Sequence, residues 1–276
     1  MRSIRTKKAM LSSVFFYVGV IAIVSIVVFP FGWMLFCSFK PRVELMSLPP
    51  HLLSNFTLLN YRNVFTQTPF FSRTLNSFIT AISAVGIGMV VGLPAAHAIA
   101  RYQYRSLAVA ILMTRTIPGI SFLVPWFIIY TRLGLVDTYI GLVSTHLVLT
   151  LPLIVWIMIG FFEDLSPEIE EAARMDGCNK WQAFIKITLP LCRPAIATAA
   201  ILSFIFSWNH FIFALILTGS KTATLPVTVF HFITYEEIDF GGMYAGATLI
   251  TFPILVLVLL IQKQFVKGLT MGGVKG

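Results

Sequence analysis

Residues 138–162 read TYIGLVSTHLVLTLPLIVWIMIGFF, and this stretch decides the fold. It holds no Asp, Glu, Lys or Arg. A bilayer core takes about 20 apolar residues of helix, so the stretch is long enough to cross one. Backbone polar groups in hydrocarbon must bond within their own segment, which leaves a helix, and the alternation of a barrel strand is missing. Five further stretches read the same way, so six spans are expected at about 12–37, 74–100, 106–130, 138–162, 194–218 and 243–262. Between them lie a polar loop (Ser38–Arg73), two tight turns (Arg101–Arg105 and Thr131–Asp137), a charged stretch (Glu163–Arg193) and a second outer loop (Gly219–Gly242).

Composition agrees with a chain surrounded by lipid. Of 276 residues, 57% are hydrophobic and only 11% charged, against about 25% charged in a soluble domain. No polar linker divides the chain, so 1–276 reads as a single membrane domain, all-α. Arg2, Arg5, Lys7 and Lys8 precede an apolar run from Ala9 to Phe36. The run is too long for a cleaved secretory segment and lacks a small-residue cleavage site, so it reads as a retained first helix.

The net charge of +9 follows from orientation rather than from nucleic acid, since no basic face is interleaved with aromatics on a polar scaffold. One side of the membrane receives Arg2, Arg5, Lys7, Lys8, Arg101, Arg105, Arg174, Lys180, Lys186, Arg193, Lys263, Lys267 and Lys275. The other receives Lys40, Arg42, Arg62, Arg73, Arg132 and Lys221. The richer side is cytoplasmic by the positive-inside rule, which puts both termini there. Cys37, Cys178 and Cys192 have no metal-ligand spacing and no disulfide pattern.

The longest cytoplasmic segment, from Phe161 to Pro194, reads FFEDLSPEIEEAARMDGCNKWQAFIKITLPLCRP. Ser166 suits a helix N-cap and Pro167 the first helical position. Glu168, Glu170 and Glu171 suit the positive end of the dipole, and Gly177 suits a left-handed stop. Asn179 then caps a second helix that leads into Leu189-Pro190. Such a helix–glycine turn–helix fits a groove on a partner protein, or is an ordinary solvated connection.

The segment resembles a known pattern. Glu171-Ala172-Ala173, Asp176-Gly177 and Ile187-x-Leu189-Pro190 match the EAA loop of permease subunits of bacterial ABC importers. Ser38-Phe39-Lys40-Pro41, Asn60-Tyr61 and Leu75-Asn76-Ser77 are similar to the carbohydrate-uptake branch of that superfamily. So are Ala95 to Arg101, Leu133 to Thr138, Trp208-Asn209 and the closing Gly268-Leu269-Thr270 with Val274-Lys275-Gly276. The resemblance is to the six-helix, type I permease of the maltose-importer kind. It departs at His97, where an aromatic residue is frequent, and at His210, where an acid is common.

The resemblance implies a complex at the cytoplasmic (inner) membrane of a bacterium or archaeon. A second permease subunit, commonly different in sequence, completes the pathway. Two copies of a cytoplasmic ATPase sit beneath, and an extracytoplasmic solute-binding protein delivers a sugar or sugar derivative. ATP and Mg belong to the ATPase: this chain has no phosphate-binding GxxxxGK[ST] loop, so it binds no cofactor of its own and is not an enzyme. Glu171, Ala172, Ala173, Asp176 and Gly177 are then the joint to the ATPase.

Polar residues at membrane depth face a cavity or another helix. Arg115, beside Thr114, Thr116 and Pro118-Gly119, reads as a substrate-facing or gating residue, or as a structural arginine serving helix ends freed by the proline. Trp208, Asn209 and His210 interrupt the fifth span. Asn209 suits sugar hydroxyls and Trp208 a sugar ring, while interhelical bonding is the competing reading. His97 and His146 read as packed interface histidines, and Gly88 and Gly92 as a small-residue pair for close helix approach. Glu236, Glu237 and Asp239 form an outer acidic cluster. Other readings are a permease of this architecture for a non-sugar solute, a gradient-driven transporter and a membrane enzyme. The last two lack the acids or paired catalytic groups they need inside the spans.

Overall fold

A computed structural model describes residues 2–47, 55–232 and 238–271, with side chains for 13–47, 55–232, 238–259 and 262. Glu236, Glu237 and Val274–Gly276 lie outside the described residues, as do the side chains of Arg2, Arg5, Lys7, Lys8, Lys263 and Lys267. Every regular element among the described residues is helical. The chain divides into two compact units, 1–68 with 229–251, and 69–228 with 252–276.

In the first unit, α1 (Arg2–Ser38) is exposed from Ser13 to Trp33, as suits a face toward lipid or another membrane chain. The sequence between its end and Arg73 was expected to be loop. It contains α2 (Arg42–Leu45) and α3 (Leu59–Gln67). The two short motifs there clasp each other. Asn60 donates from Nδ2 to the carbonyls of Ser38 and Lys40, both at 2.8 Å, and Ser38 Oγ meets Tyr61 Oη at 2.7 Å.

In the second unit, α4 (Phe70–Arg101) lies beside α7 (Tyr139–Asp164), with α5 (Arg105–Thr114) and α6 (Leu123–Arg132) between them in sequence. α4 and α7 run parallel. Tyr139 Oη donates to Asn76 Oδ1 at 2.6 Å at one end, and the His97 and Phe162 rings stand 5.4 Å apart at the other. Gly88 and Gly92 make the approach possible: a Cβ on Gly88 would come 2.7 Å from Ile154 Cδ1, and one on Gly92 3.0 Å from Ile154 Cγ2. Without water to exclude, packing contacts of this kind are what hold helices together in lipid. Leu93, Ala96 and Ile99 meet Ile154, Met158 and Phe162 in the core.

The third expected span, 106–130, is not one helix. α5 ends at Thr114, a 3-10 turn covers Gly119–Phe122, and the two halves bend by 80°. Pro118 disfavours helix at Ile117 and donates no backbone bond. The Thr114 and Thr116 hydroxyls donate to the carbonyls of Ile111 and Met113 in the last turn of α5 at 2.6 and 2.8 Å.

Beyond α7 come α8 (Pro167–Met175), α9 (Lys180–Ala183), a π turn at Phe184–Thr188 and α10 (Leu189–Leu191). The π turn directly precedes Pro190, where the helical ladder loses a donor. α11 (Arg193–Trp208) then runs antiparallel to α4 and α7, with Ser207 bonded to His146 and Ala195 in the core near Phe162. The fifth expected span, 194–218, is also interrupted: α11 stops at Trp208 and α12 (Ile212–Leu217) begins anew. The expected outer loop 219–242 contains α13 (Leu225–Phe230), and α14 (Phe240–Met271) exceeds the expected last span at both ends. Among the described residues, four helices are long and apolar enough to cross a membrane, and up to six segments if bent pairs count as spans.

Candidate functional site: a helix–turn–helix loop and the polar breaks

Ser166 Oγ accepts from the amide of Glu168 at 3.3 Å, and Pro167 occupies the first turn, as the sequence predicts for a helix start. The stop is a full Schellman motif. Gly177 has φ +96, its amide donates to Arg174 O at 3.1 Å, and Cys178 donates to Ala173 O at 3.0 Å. Asn179 and Gln182 then form a reciprocal capping box, both bonds at 2.9 Å, that starts α9. These caps satisfy several of the orphan backbone groups and fix a sharp reversal.

The reversal presents a defined surface. Glu171, Ala172, Asp176 and Gly177 are exposed together, with Met175 at 88% and Trp181 at 62% exposure. Ala173 parts company with them and is buried against the protein. Ala172 therefore offers the small outer contact, whereas Ala173 lets α8 lie close to its own chain. Such a surface can dock in a groove of a partner.

The residue that secures α8 is one the sequence showed only as a helix-dipole acid. Glu170 Oε1 accepts from Thr188 Oγ1 at 2.6 Å, from Arg101 Nη2 at 2.9 Å and Nε at 3.2 Å, and lies 2.9 Å from His97 Nε2. Arg101 Nη1 also donates to Leu165 O at 2.8 Å. Burial pushes the Glu170 carboxyl upward, but the bonds from Thr188, Arg101 and His97 and the charge of His97 outweigh it and hold the group below its ordinary range. His97 and Arg101 share a helix face at i, i+4, but no spacing rule links them to positions 170 and 188. A cleft of about 680 Å³ opens beside this cluster, lined by Tyr102, Glu171, Arg174, Lys180 and Trp181 among others.

A second polar clamp closes the far end of α4. Asn76 Nδ2 donates to Lys221 O at 2.8 Å and Ala223 O at 2.9 Å, Ser77 Oγ accepts from Leu225 N at 2.8 Å, and Arg73 Nη1 donates to Ser220 O at 2.9 Å. Asp137, at φ +56, adds a carboxylate that accepts from Gly219 N at 2.8 Å and from Thr222 N and Oγ1 at 2.9 and 2.8 Å. Burial raises its pKa, and these bonds with that from Lys221 N more than offset the effect, so the group titrates below its ordinary range.

The polar residues of the apolar segments are dispersed. Arg115 caps the end of α5 at the break, exposed, with its guanidinium 5.7 Å from the Phe206 ring. Trp208 is 1% exposed, with ring centroids 4.7 Å from Phe78 and 5.7 Å from Phe204, so in this conformation it offers no free face. Phe206 and Trp208 stand about 200° apart around α11, which separates Arg115 from Trp208. Asn209 is exposed and returns its Nδ2 to Ile205 O at 3.0 Å. His210 is half-buried, stacked on Phe213 at 5.1 Å and 5.2 Å from His146, whose Nδ1 meets Ser207 Oγ at 2.7 Å. Among the described residues no three His, Cys, Asp or Glu side chains form a metal-binding group.

Comparison with known proteins gives this geometry a family. A protein named "Probable ABC transporter permease protein y4oR" from Sinorhizobium fredii is 36% identical over 98% of this chain and 97% of its own. The trehalose transport system permease of Mycobacterium tuberculosis is 38% identical over 92% of this chain and 94% of its own. A solved bacterial ABC transporter involved in the import of the acidic polysaccharide alginate contains a chain with the same fold, at TM-score 0.72 and 21% identity, covering 92% of this chain and 96% of that one. With residues 84–271 matching the family described as the binding-protein-dependent transport system inner membrane component, the chain belongs to that family of multi-pass membrane transport subunits.

Proposed function

We propose that this chain is a permease subunit of an ATP-driven, binding-protein-dependent ABC importer for a sugar or sugar derivative. The observation that carries the reading is the 166–182 reversal, capped at every turn and showing Glu171, Ala172, Asp176 and Gly177 to solvent. In the proposed complex this surface sits in a groove of a cytoplasmic ATPase present in two copies. Gly177 makes the turn, Ala172 permits close approach, Ala173 seats α8 on its own chain, and Glu171 and Asp176 meet basic groups. ATP and Mg act on the ATPase, and this chain is the non-catalytic conductor. A second permease completes the pathway and an extracytoplasmic binding protein supplies the solute.

The segments α1, α4, 105–132, α7, α11 and α14 serve as six spans, with both termini cytoplasmic, an arrangement supported by the distribution of lysine and arginine. Arg115 and Asn209, exposed at the two helix breaks, are assigned to the pathway with His210, and Trp208 stiffens the wall behind them. The carbohydrate assignment draws on the trehalose permease relative and on the sequence pattern around Trp208-Asn209. A non-sugar solute on the same architecture is the second reading, favoured only by the cationic Arg115 at a break.

The test is ATP hydrolysis by the reconstituted complex, with the products of neighbouring genes, across a panel of sugars and sugar acids. One sugar should stimulate hydrolysis, and Gly177→Pro, inserted normally, should abolish the stimulation. A response confined to a different solute class would sink the carbohydrate assignment and leave the importer standing.

A further inference from the structure

α8 is poorly anchored by apolar packing. Ala173 is its single buried residue, and one methyl contributes less than one charge-assisted hydrogen bond. What ties α8 down is polar: Thr188, Arg101 and His97 all converge on Glu170 Oε1, and Arg101 reaches past it to Leu165 O. The side chains of Arg101, Glu170 and His97 are 14%, 16% and 19% exposed, and Thr188 is fully buried. In such partly desolvated surroundings these bonds strengthen, and opening them strands a charge. The His97 ring is further gripped by Phe162 at 5.4 Å and Phe184 at 4.7 Å.

α4 carries the other half of this contact and is one continuous helix, Phe70–Arg101. Its last turn holds Glu170 through His97 and Arg101, and its first turns hold the 220–225 segment through Arg73, Asn76 and Ser77. A displacement of α8 has a stiff polar link to α4 and, through α4, a bonded contact at the far end.

We propose that Glu170 is the positioning residue through which movement of the coupling loop is passed to α4. Glu170 does not meet the ATPase; it makes α8 and the end of α4 move as one body. The proposal rests on the coupling-loop reading above. Without the Glu170 charge, the ATPase still engages the exposed surface, but α8 shifts against α4 and hydrolysis no longer drives the bundle.

The experiment uses the complete complex in proteoliposomes and reads two quantities: ATPase retained on purification, and solute imported per ATP hydrolysed. Glu170→Gln should retain the ATPase and lower import per ATP by about tenfold, as expected for loss of one charge-assisted contact. Thr188→Val should lower it less, and the double variant should be no worse than Glu170→Gln, because both bonds share one oxygen. A wild-type ratio in Glu170→Gln, additive effects in the double variant, or loss of ATPase in step with import would each overturn the latch. If Glu170→Gln does not fold, Thr188→Val keeps the ion pair and decides alone: a wild-type ratio there overturns the proposal. Gly177→Pro separates the two ideas. Unaltered ATPase retention and import in that variant would sink the joint and the latch together. A defect in Gly177→Pro beside a normal ratio in Glu170→Gln would sink the latch alone.

Discussion

Gly177 and Asp137 both hold a left-handed backbone, at φ +96 and +56, but only Gly177 carries its role through that conformation. A Cβ on Gly177 would meet nothing within 4 Å, so the cost of substitution there is conformational alone. Gly177→Ala should destabilise by about 1 kcal/mol, and Gly177→Asn by less, since asparagine tolerates the left-handed region. Thermal unfolding in detergent measures both, and an equal loss in the two variants would contradict the conformational account. Asp137 acts through its carboxylate. Because its folded pKa lies below the unfolded one, its contribution is present above the ordinary value near 3.8 and is lost as pH falls through the lower folded value. Asp137→Asn should cost about 1 kcal/mol at pH 7, discounted for solvent screening, and the gap from wild type should begin to narrow only as pH falls below the ordinary value near 3.8. A gap that does not change with pH would mean that shape, not charge, holds the 219–222 turn.

At the scale of elements, the α4–α7 pair sets the tightest tolerance. Gly88 faces Ile154 and Leu147, whereas Gly86, two residues earlier, faces open space. Gly88→Leu should destabilise by about 2 kcal/mol through overpacking, and Gly86→Leu by under about 0.5 kcal/mol. Differential scanning fluorimetry of the two variants makes the comparison, and similar losses would refute parallel packing in this register. Gly88→Ala should fall between them, because the nearest atom is the flexible end of Ile154. The helix breaks obey different rules. At 115–118 a proline ends the ladder, and threonine hydroxyls bond carbonyls of the preceding turn. At 209 an asparagine returns its side chain to the preceding turn. Each break exposes a polar side chain, Arg115 at one and Asn209 at the other, which is why the pathway residues are assigned to them.

For the whole molecule, orientation is the property that tests most of the reading at once. Single cysteines in place of Trp181 and Lys221, in a background without Cys37, Cys178 and Cys192, should react with a membrane-impermeant maleimide from opposite sides. Labelling of both from one side would overturn the six-span arrangement. The sequence by itself determined that this is a helical membrane protein, where its apolar segments lie to within several residues, and which residues cap and reverse the 166–182 loop. Those features depend on local periods, on charge balance and on residues close in the chain, such as Ser166 with Glu168 or Asn179 with Gln182. The tertiary structure decided that Ala173 turns inward while Ala172 stays out, that the 106–130 and 194–218 segments break, and that Trp208 is enclosed by Phe78 and Phe204. It also brought together Glu170, His97, Arg101 and Thr188, and separately Asp137 with Gly219 and Thr222. Hydrophobic periodicity tells which residues avoid water, but the partner a buried polar atom finds is set by which helices meet and in what register, and that is fixed only when the bundle packs.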